Sequence, residues 1–580
     1  MAWGNEKSIT VTKWQALFHH EQEVWETDYS AVQTIRVVAD PCDDLTLREM
    51  AALYIEEGQA RWTSHAEERS RRVAYRRAAE RAAQSATQKT RYSSLLAGLD
   101  LDWEGTEPTG SGSDTVSSRT FRMVKASNIE LREITDASTM QVRIYPRTFV
   151  CTRCGHYQKV DNTAVSLRCP CCKKGWLQQE AIIHICPRCA EVEELIPEDI
   201  PKIDDRGWLV CKCGGHLHYY GRDRVATIRW RCKKCGSRYP QWGRGRAIDR
   251  SCSKCSIREK DESGKGKITK MYIDRTAGSN TYALAFSTIR IGDEPVTLSV
   301  LQGRHQQDRD ESLKTWDMNQ LFQEQLTGPE QLMFRVMFPI IDAFLVSNVL
   351  SSTVVYGYST RKGTIKEEER LPQFFYDDKG NRYRAYVVNE QGRALVIVLD
   401  KERLARAAQR DKPTAQWLSY DQLVEQEVSV LNTRGRFQQN IDTPEDFPLI
   451  AALHTLEHAV FKQAIAQVGL DDFGSKILLR DGVIILYERR DIGYGGVVQL
   501  TAGQCFLQLM RGAKSIIEEC NHDCDKGCLA CVYITDAWCM PFLPDEVGWY
   551  PPNSLLMRRN AVAALELVGE EEDSDDAPND

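Results

Sequence analysis

Thirteen of the chain's 20 cysteines lie between Cys151 and Cys255, and nothing else in the sequence restricts the fold as much. Twelve of them form close pairs: Cys151/Cys154, Cys169/Cys172, Cys186/Cys189, Cys211/Cys213, Cys232/Cys235 and Cys252/Cys255. Each pair fits on one tight knuckle, and two knuckles close a tetrahedral thiolate site. Taken in order, the first pair joins the second, the third joins the fourth and the fifth joins the sixth, across intervals of 14, 21 and 16 residues. Cys171 is left over, and the choice between Cys171 and its neighbours Cys169 and Cys172 stays open. The competing reading is a disulfide framework, which needs an oxidising compartment. The first residues, MAWGNEKSITVTKWQALFHH, contain no apolar signal core. Structural zinc in a reducing cytoplasm is therefore expected. A closed four-thiolate site has no open position and performs no catalysis.

A second cysteine group, CNHDCDKGCLACVYITDAWC, holds Cys520, Cys524, Cys528, Cys531 and Cys539. Cys528-x2-Cys531 is its knuckle, and Cys539 with either Cys520 or Cys524 is expected to complete the site. The total expected is about four structural zinc sites.

A chain of 580 residues accommodates three or four domains. The longest apolar stretch, Val336 to Leu350, is too short for a bilayer span and contains Pro339 and Asp342. The formal net charge of −7 equals the seven carboxylates of the tail Gly569–Asp580. Inside the remainder, Gly221–Arg275 carries 17 Lys and Arg against 6 Asp and Glu. A basic span on rigid ribbons suits a phosphate backbone, so Arg229, Arg231, Lys233, Lys234, Arg244 and Arg246 are the candidate DNA contacts. The plainer alternative is a solvated face. Trp176, Trp208, Tyr219, Tyr220, Trp230, Tyr239 and Trp242 accompany these residues. Packing over the knuckles is their first expected role and base stacking the second.

The pattern along the chain predicts an α+β multidomain protein. Residues 1–101 read as a helical N-terminal region, with one helix opening over Leu45–Glu57 and an Arg-rich one after it. Residues 102–120 have linker composition, and 121–260 form the tandem zinc-ribbon region. Residues 261–440 are a mixed α/β region. It includes two strand-like runs within Lys267–Ile291 and a buried helix over Met333–Val349. A three-stranded meander follows, with turns at Asp378–Asn381 and Asn389–Gly392. Residues 441–568 form a C-terminal zinc domain with a helix over Phe447–Val468, a strand over Val483–Tyr487 and a helix over Ala502–Glu519. Residues 569–580 form an acidic tail expected to be disordered.

The segments LHTLEHAV, ILYERRDIGYGGV, GCLACVYITDAWC and NSLLMRR, in that order, resemble the zinc-binding C-terminal (MZB) domain of MrfA-type helicases. The same domain closes the DrmB subunits of DISARM anti-phage systems. IDRTAGSNTYALAFSTIRI, VVYGYSTRKG and IYPRTFVCTRC resemble further segments of DrmB-like chains, so the resemblance covers roughly Tyr145 to Val562. It implies a non-ATPase, DNA-binding accessory subunit of a large superfamily 2 helicase, DrmA-like, in bacterial antiviral defence. The residues it carries over are Cys528, Cys531 and Cys539 with Cys520 or Cys524, and Gly495 and Gly496 at a glycine turn.

Consistent with that expectation, no G-x-x-x-x-G-K-[ST] loop occurs, so the chain is expected not to be an enzyme and nucleotide chemistry would come from the partner. Two other readings compete. His454-x2-Glu457-His458 spells the inverted-zincin motif, with Glu457 as base and a third ligand from Glu518 or Glu519. A histidine pair packed in a core explains the same string. The other alternative is a zinc-ribbon interaction scaffold without DNA contact.

Overall fold

The computed structural model describes residues 7–10, 17, 24–26, 31–60, 124–159 without 136–138, 168–195 without 181 and 188, 202–220, 229–239, 250–252, 269–274, 281–360 without 293, 312 and 314, 372–410 without 378, 417–431, 444–469, 473–488, 496–534 without 521, 523 and 529, and 539–566 without 544, 545 and 548–552. The fold is mixed α+β and divides into two compact units. One comprises Met1–Asp43, Asn128–Leu284 and Val355–Val388, the other Asp44–Ser127, Ala285–Val354 and Asn389–Asp580. Among the described residues no helix is long and apolar enough to cross a membrane. The Arg-rich stretch after residue 60, the 102–120 linker, the 569–580 tail, Cys255, Arg244, Arg246, Trp242 and Gly495 lie outside the described residues.

The first unit corrects the helical expectation for the N-terminal region. Lys7–Thr10, Val24–Glu26 and Ala31–Val38 are strands, and with Thr139–Ile144 they make a four-stranded sheet. The β-branched run AVQTIRVV favours a pleated surface over a helix. Its pairing with Thr139–Ile144 places Val37 beside Met140, both buried.

Small sheets then hold the cysteines. Thr148–Cys151 pairs with Tyr157–Lys159 on one side and Leu177–Gln179 on the other. Ile182–Ile185 pairs with Val192–Glu194 and with Thr269–Asp274, and Thr269–Asp274 in turn pairs with Arg250–Ser251. Between these, in sequence, sits another sheet of Leu217–Tyr220, Arg229–Cys232 and Arg238–Tyr239. Its core is aromatic. Trp230 is fully buried, edge-on to Tyr157 and Tyr219, with Tyr239 and Leu209 in the same cluster. The Tyr157 hydroxyl donates to Leu195 O at 2.6 Å. Gly155, at φ 68°, brings the first knuckle against the backbone of Tyr219, whose carbonyl would collide with any side chain there.

The second unit is built on antiparallel strands buried on both faces. Ala394–Val398 pairs with Val483–Tyr487, and Val483–Glu488 pairs with Phe473–Leu478. Alternation sorts the side chains: Leu395, Ile397, Ile484 and Leu486 face one core, and Val396, Val398, Val483 and Ile485 face another. The first core receives the helices Lys401–Gln409, Tyr420–Val430, Pro448–Val468, Cys505–Glu518 and Arg558–Glu566. The second receives Phe344, Val346, Leu301 and Leu543. The expected helix over Leu45–Glu57 runs from Leu45 to Ala60.

Two expectations for this region are corrected. Met333–Val349 is not one helix: a helix ends at Met337 and a strand, Ile340–Thr360, begins after Pro339. Proline removes a backbone donor and stops the helix, and the Ile- and Val-rich residues after it favour a strand. Nor is there a turn at Asn389–Gly392, because Tyr383–Leu399 is one continuous strand. The Gln391 amide donates to Asn348 Oδ1 at 3.4 Å, and Ser351 Oγ donates to Glu390 O at 3.4 Å. Gly392 serves a close approach instead, since a Cβ there would lie 3.1 Å from the Glu488 carbonyl oxygen.

Pro448–Val468 is the central helix, with 15 buried residues of 21. Pro448 suits its first turn and Gly469, at φ 73°, ends it. No side chain at its own N-cap serves the first N–H groups. Glu427, 4% exposed, does so from the preceding helix, accepting from Leu449 N at 3.0 Å and Ile450 N at 2.9 Å. Glu427→Ala leaves both donors buried without an acceptor and should cost about 2–4 kcal/mol. Glu427→Gln keeps one acceptor oxygen and should cost less. Urea-unfolding midpoints of the two variants test the ranking.

Candidate metal centres and basic surface

The first tetrad forms from the expected residues. Cys151, Cys154, Cys169 and Cys172 gather with Cys151 Sγ 3.7 Å from Cys172 Sγ and Cys154 Sγ 3.7 Å from Cys169 Sγ. A zinc tetrahedron with metal–sulfur bonds of about 2.3 Å has sulfurs about 3.8 Å apart, so these edges fit a metal, whereas a disulfide would need about 2.05 Å. None of the described cysteines is joined in a disulfide. The fold also settles the register of this pair: Cys171 is exposed and stands with His156 and His218. The sequence pattern singles out neither histidine, although both flank the knuckle strands.

The next two sites are nested, which corrects the pairing in order. Cys211 and Cys213 meet Cys232 and Cys235, with Cys211–Cys235 and Cys213–Cys232 both 3.5 Å between sulfurs. Cys186 and Cys189 instead meet Cys252, the Cys189–Cys252 distance being 3.6 Å. Sheet topology dictates this arrangement. Thr269–Asp274 lies between Ile182–Ile185 and Arg250–Ser251, so the knuckle after one strand reaches the cysteine after the other.

In the second unit, Cys520, Cys524, Cys528 and Cys531 form the tetrad, so both of the alternative cysteines take part. The edges are 3.5 Å for Cys520–Cys524, 3.7 Å for Cys520–Cys528 and 3.4 Å for Cys524–Cys531. Cys539, expected as the fourth ligand, is not in it. Its sulfur lies 3.3 Å from His454 Nε2. The Lys462 ammonium donates to the Cys531 carbonyl, and Arg558 donates to Cys524 O and to Ile517 O, both at 2.8 Å. That tie joins the cysteine loop to the end of the helix Cys505–Glu518. The carboxylates expected as protease ligands are engaged elsewhere: Glu518 pairs with Lys514 at 2.8 Å, and Glu519 accepts from Ser515 Oγ at 2.9 Å.

Each tetrad mixes acidic and reluctant thiols. The Lys174 backbone N–H holds Cys172 down to about 6, while burial pushes Cys154 and Cys169 up. Bonds from Ser237 hold Cys235 at about 6, and Cys211 is also lowered against its burial. Contact with Cys235 raises Cys213 to about 12. In the C-terminal tetrad the His522 ring lowers Cys528 to about 5, and a backbone bond at His522 lowers Cys520. Burial raises Cys524 and Cys531. Metal binding must expel the protons of the raised thiols, so affinity falls as pH falls. Zinc should therefore be released from the tetrads on acidification, which a chromophoric chelator reads. Zinc content unchanged down to about pH 4 would contradict thiolate ligation.

The basic candidates sit on the innermost cysteine site. Arg231, Lys233 and Lys234 are exposed and Arg229 is half-buried. Arg231 faces Arg238 directly across the strand pair, and Arg238 is exposed too. Among the described residues no carboxylate pairs with either arginine. Of the aromatics, Tyr219, Trp230 and Tyr239 are core, whereas Trp176 and Tyr220 are exposed at 54% and 44%. The Arg168 guanidinium lies over the Trp176 ring at 4.9 Å, and Trp208 is edge-on to His156.

Residues 62–283 match the profile of a domain of unknown function, DUF8724. That span holds the first three cysteine clusters and the basic strands. No curated protein matches the chain. The donor sets and sulfur spacings are consistent with structural zinc at these clusters, and the protein reads as a zinc-binding one.

Proposed function

We propose that this chain is a zinc-braced, DNA-binding accessory subunit without nucleotide chemistry of its own, working with a large superfamily 2 helicase in DISARM-like antiviral defence in the bacterial cytoplasm. The observation that carries the reading is the facing pair Arg231 and Arg238, with Lys233 and Lys234 beside it. Like charges directly opposite on a sheet repel, and an anionic partner relieves the repulsion. The knuckle Cys232–Cys235 holds these side chains on a short, rigid hairpin, which lowers the entropy lost on binding a phosphate backbone. The resemblance over residues 145–562 supplies the helicase and the defence setting, and the DrmB-like, MZB-like character of the C-terminal tetrad rests on it. Closed thiolate sites suit rigid surfaces rather than reactions.

The test mixes the purified chain with the helicase encoded beside it and measures duplex DNA affinity across a salt series together with ATP hydrolysis. The expected result is a stable complex with salt-dependent DNA binding and raised DNA-stimulated ATPase. Strong ATPase in the chain alone would overturn the proposal. Salt-independent or absent DNA binding would favour the interaction-scaffold reading instead.

A further inference from the structure

The side chain that the C-terminal tetrad leaves out, Cys539, meets two histidines deep in the second unit. His454 and His458 lie one turn apart on the central helix Pro448–Val468, so both rings project from the same face. Both are fully buried and Cys539 is 3% exposed. His454 Nε2 is 3.0 Å from His458 Nε2 and 3.3 Å from Cys539 Sγ. A tetrahedral zinc with two imidazoles and a thiolate has nitrogens about 3.3 Å apart and nitrogen–sulfur edges of about 3.5 Å, close to these distances.

The surroundings are arranged as outer partners of metal ligands usually are. His458 Nδ1 bonds to the Val532 carbonyl at 2.9 Å, which fixes the tautomer and leaves the Nε2 lone pair facing His454. The backbone N–H of Asn553 donates to Cys539 Sγ at 3.1 Å, a bond that favours a thiolate. A carboxylate lies beside His458. Glu457, 1% exposed, has Oε2 3.7 Å from His458 Nε2, and Ser475 Oγ donates to its other oxygen.

We propose that His454, His458, Cys539 and Glu457 hold a buried divalent cation of the zinc class, separate from the cysteine tetrads. One thiolate and one carboxylate balance the charge of such a cation, whereas two buried anions without it would be costly. With four protein donors and no solvent access the site is closed, so the cation is structural. It pins the loop carrying Cys539 and the segment at Val532 to the central helix. The inverted-zincin spelling is then a ligand pattern whose third member is a cysteine distant in sequence rather than a downstream glutamate.

The test uses the whole protein with its metals exchanged for 113Cd. Beyond the resonances of the all-thiolate sites, one further resonance at a mixed nitrogen–sulfur position is expected, with metal content one per chain above the number of thiolate sites. His454→Leu and Cys539→Ser should each remove that resonance and one metal while the thiolate resonances remain. If those variants fail to fold, Cys171→Ser decides: a resonance from the buried site persists in that variant, whereas loss of the resonance would assign it to Cys171, His156 and His218 and overturn the proposal. Thiolate resonances alone, with metal content equal to the number of thiolate sites, would overturn the proposal and leave a packed histidine pair.

Discussion

Replacing Cys211 and Cys235 together with serine should release one zinc ion per chain, and replacing Cys186 and Cys211 together should release two. The first pair shares one site and the second pair belongs to two. Pairing the knuckles in sequence order gives the opposite result, two and then one, so metal content by native mass spectrometry separates the alternatives without any structural readout. The effect on folding should be large. Structural zinc contributes an apparent ~10–16 kcal/mol in small zinc-dependent folds, and the core around Trp230 is small and includes the ligands Cys211 and Cys232. Losing the inner metal should therefore expose Trp230, seen as a red shift of the tryptophan fluorescence that Trp230→Phe diminishes. The tetrad at Cys520–Cys531, in the other unit, should keep its metal. Retention of full zinc content in Cys211→Ser/Cys235→Ser would show that these sulfurs ligate nothing.

Charge removal at Arg231 and Arg238 is the second large effect. Each phosphate that is no longer neutralised lowers the slope of log K against log salt by about 0.9 on duplex DNA, so Arg231→Gln/Arg238→Gln should lower it by about 1.8. The same change removes a repulsive cross-strand pair worth roughly 0.2–1 kcal/mol. The variant should thus bind DNA more weakly while melting no lower than the parent, and slightly higher at low salt. That combination separates a binding role from a structural one. If the salt slope is unchanged, the DNA-binding surface lies elsewhere. If the melting temperature falls, the two arginines hold the sheet together.

Much of the metal chemistry is legible in the sequence because ligand type and knuckle spacing are local. Which knuckles pair is not, since that depends on Thr269–Asp274 lying between two strands far from it in sequence. The central helix is legible from a long periodic pattern, and Val483–Glu488 from a short apolar run flanked by turn residues. Met333–Val349 misleads because an apolar run of that length suits a helix or a doubly buried strand, and periodicity alone does not separate them. Pro339 is the available signal. Gly392 misleads for a related reason: a glycine between polar residues spells a turn, whereas here a neighbouring backbone needs the space. Proximity in sequence groups Cys539 with the cysteines before it, and its actual neighbour, His454, is 85 positions away.

The nested sites also bear on how such a chain can change over evolutionary time. The strands and cysteines between Cys189 and Cys252 leave and return at the same cluster, so their two ends are held together by the outer site whatever lies between. An insert whose ends are already clasped tolerates change where it does not pack on its host, as domain insertions at closely spaced termini generally do, whereas Tyr219 and Trp230 are tied to Gly155 and Tyr157 of the first ribbon. The inner sheet carries the paired arginines. Relatives of this protein should therefore vary most at the exposed side chains inside the clasp, trading one binding surface for another, while the outer cysteines, their strands and the aromatic core at Trp230 stay fixed.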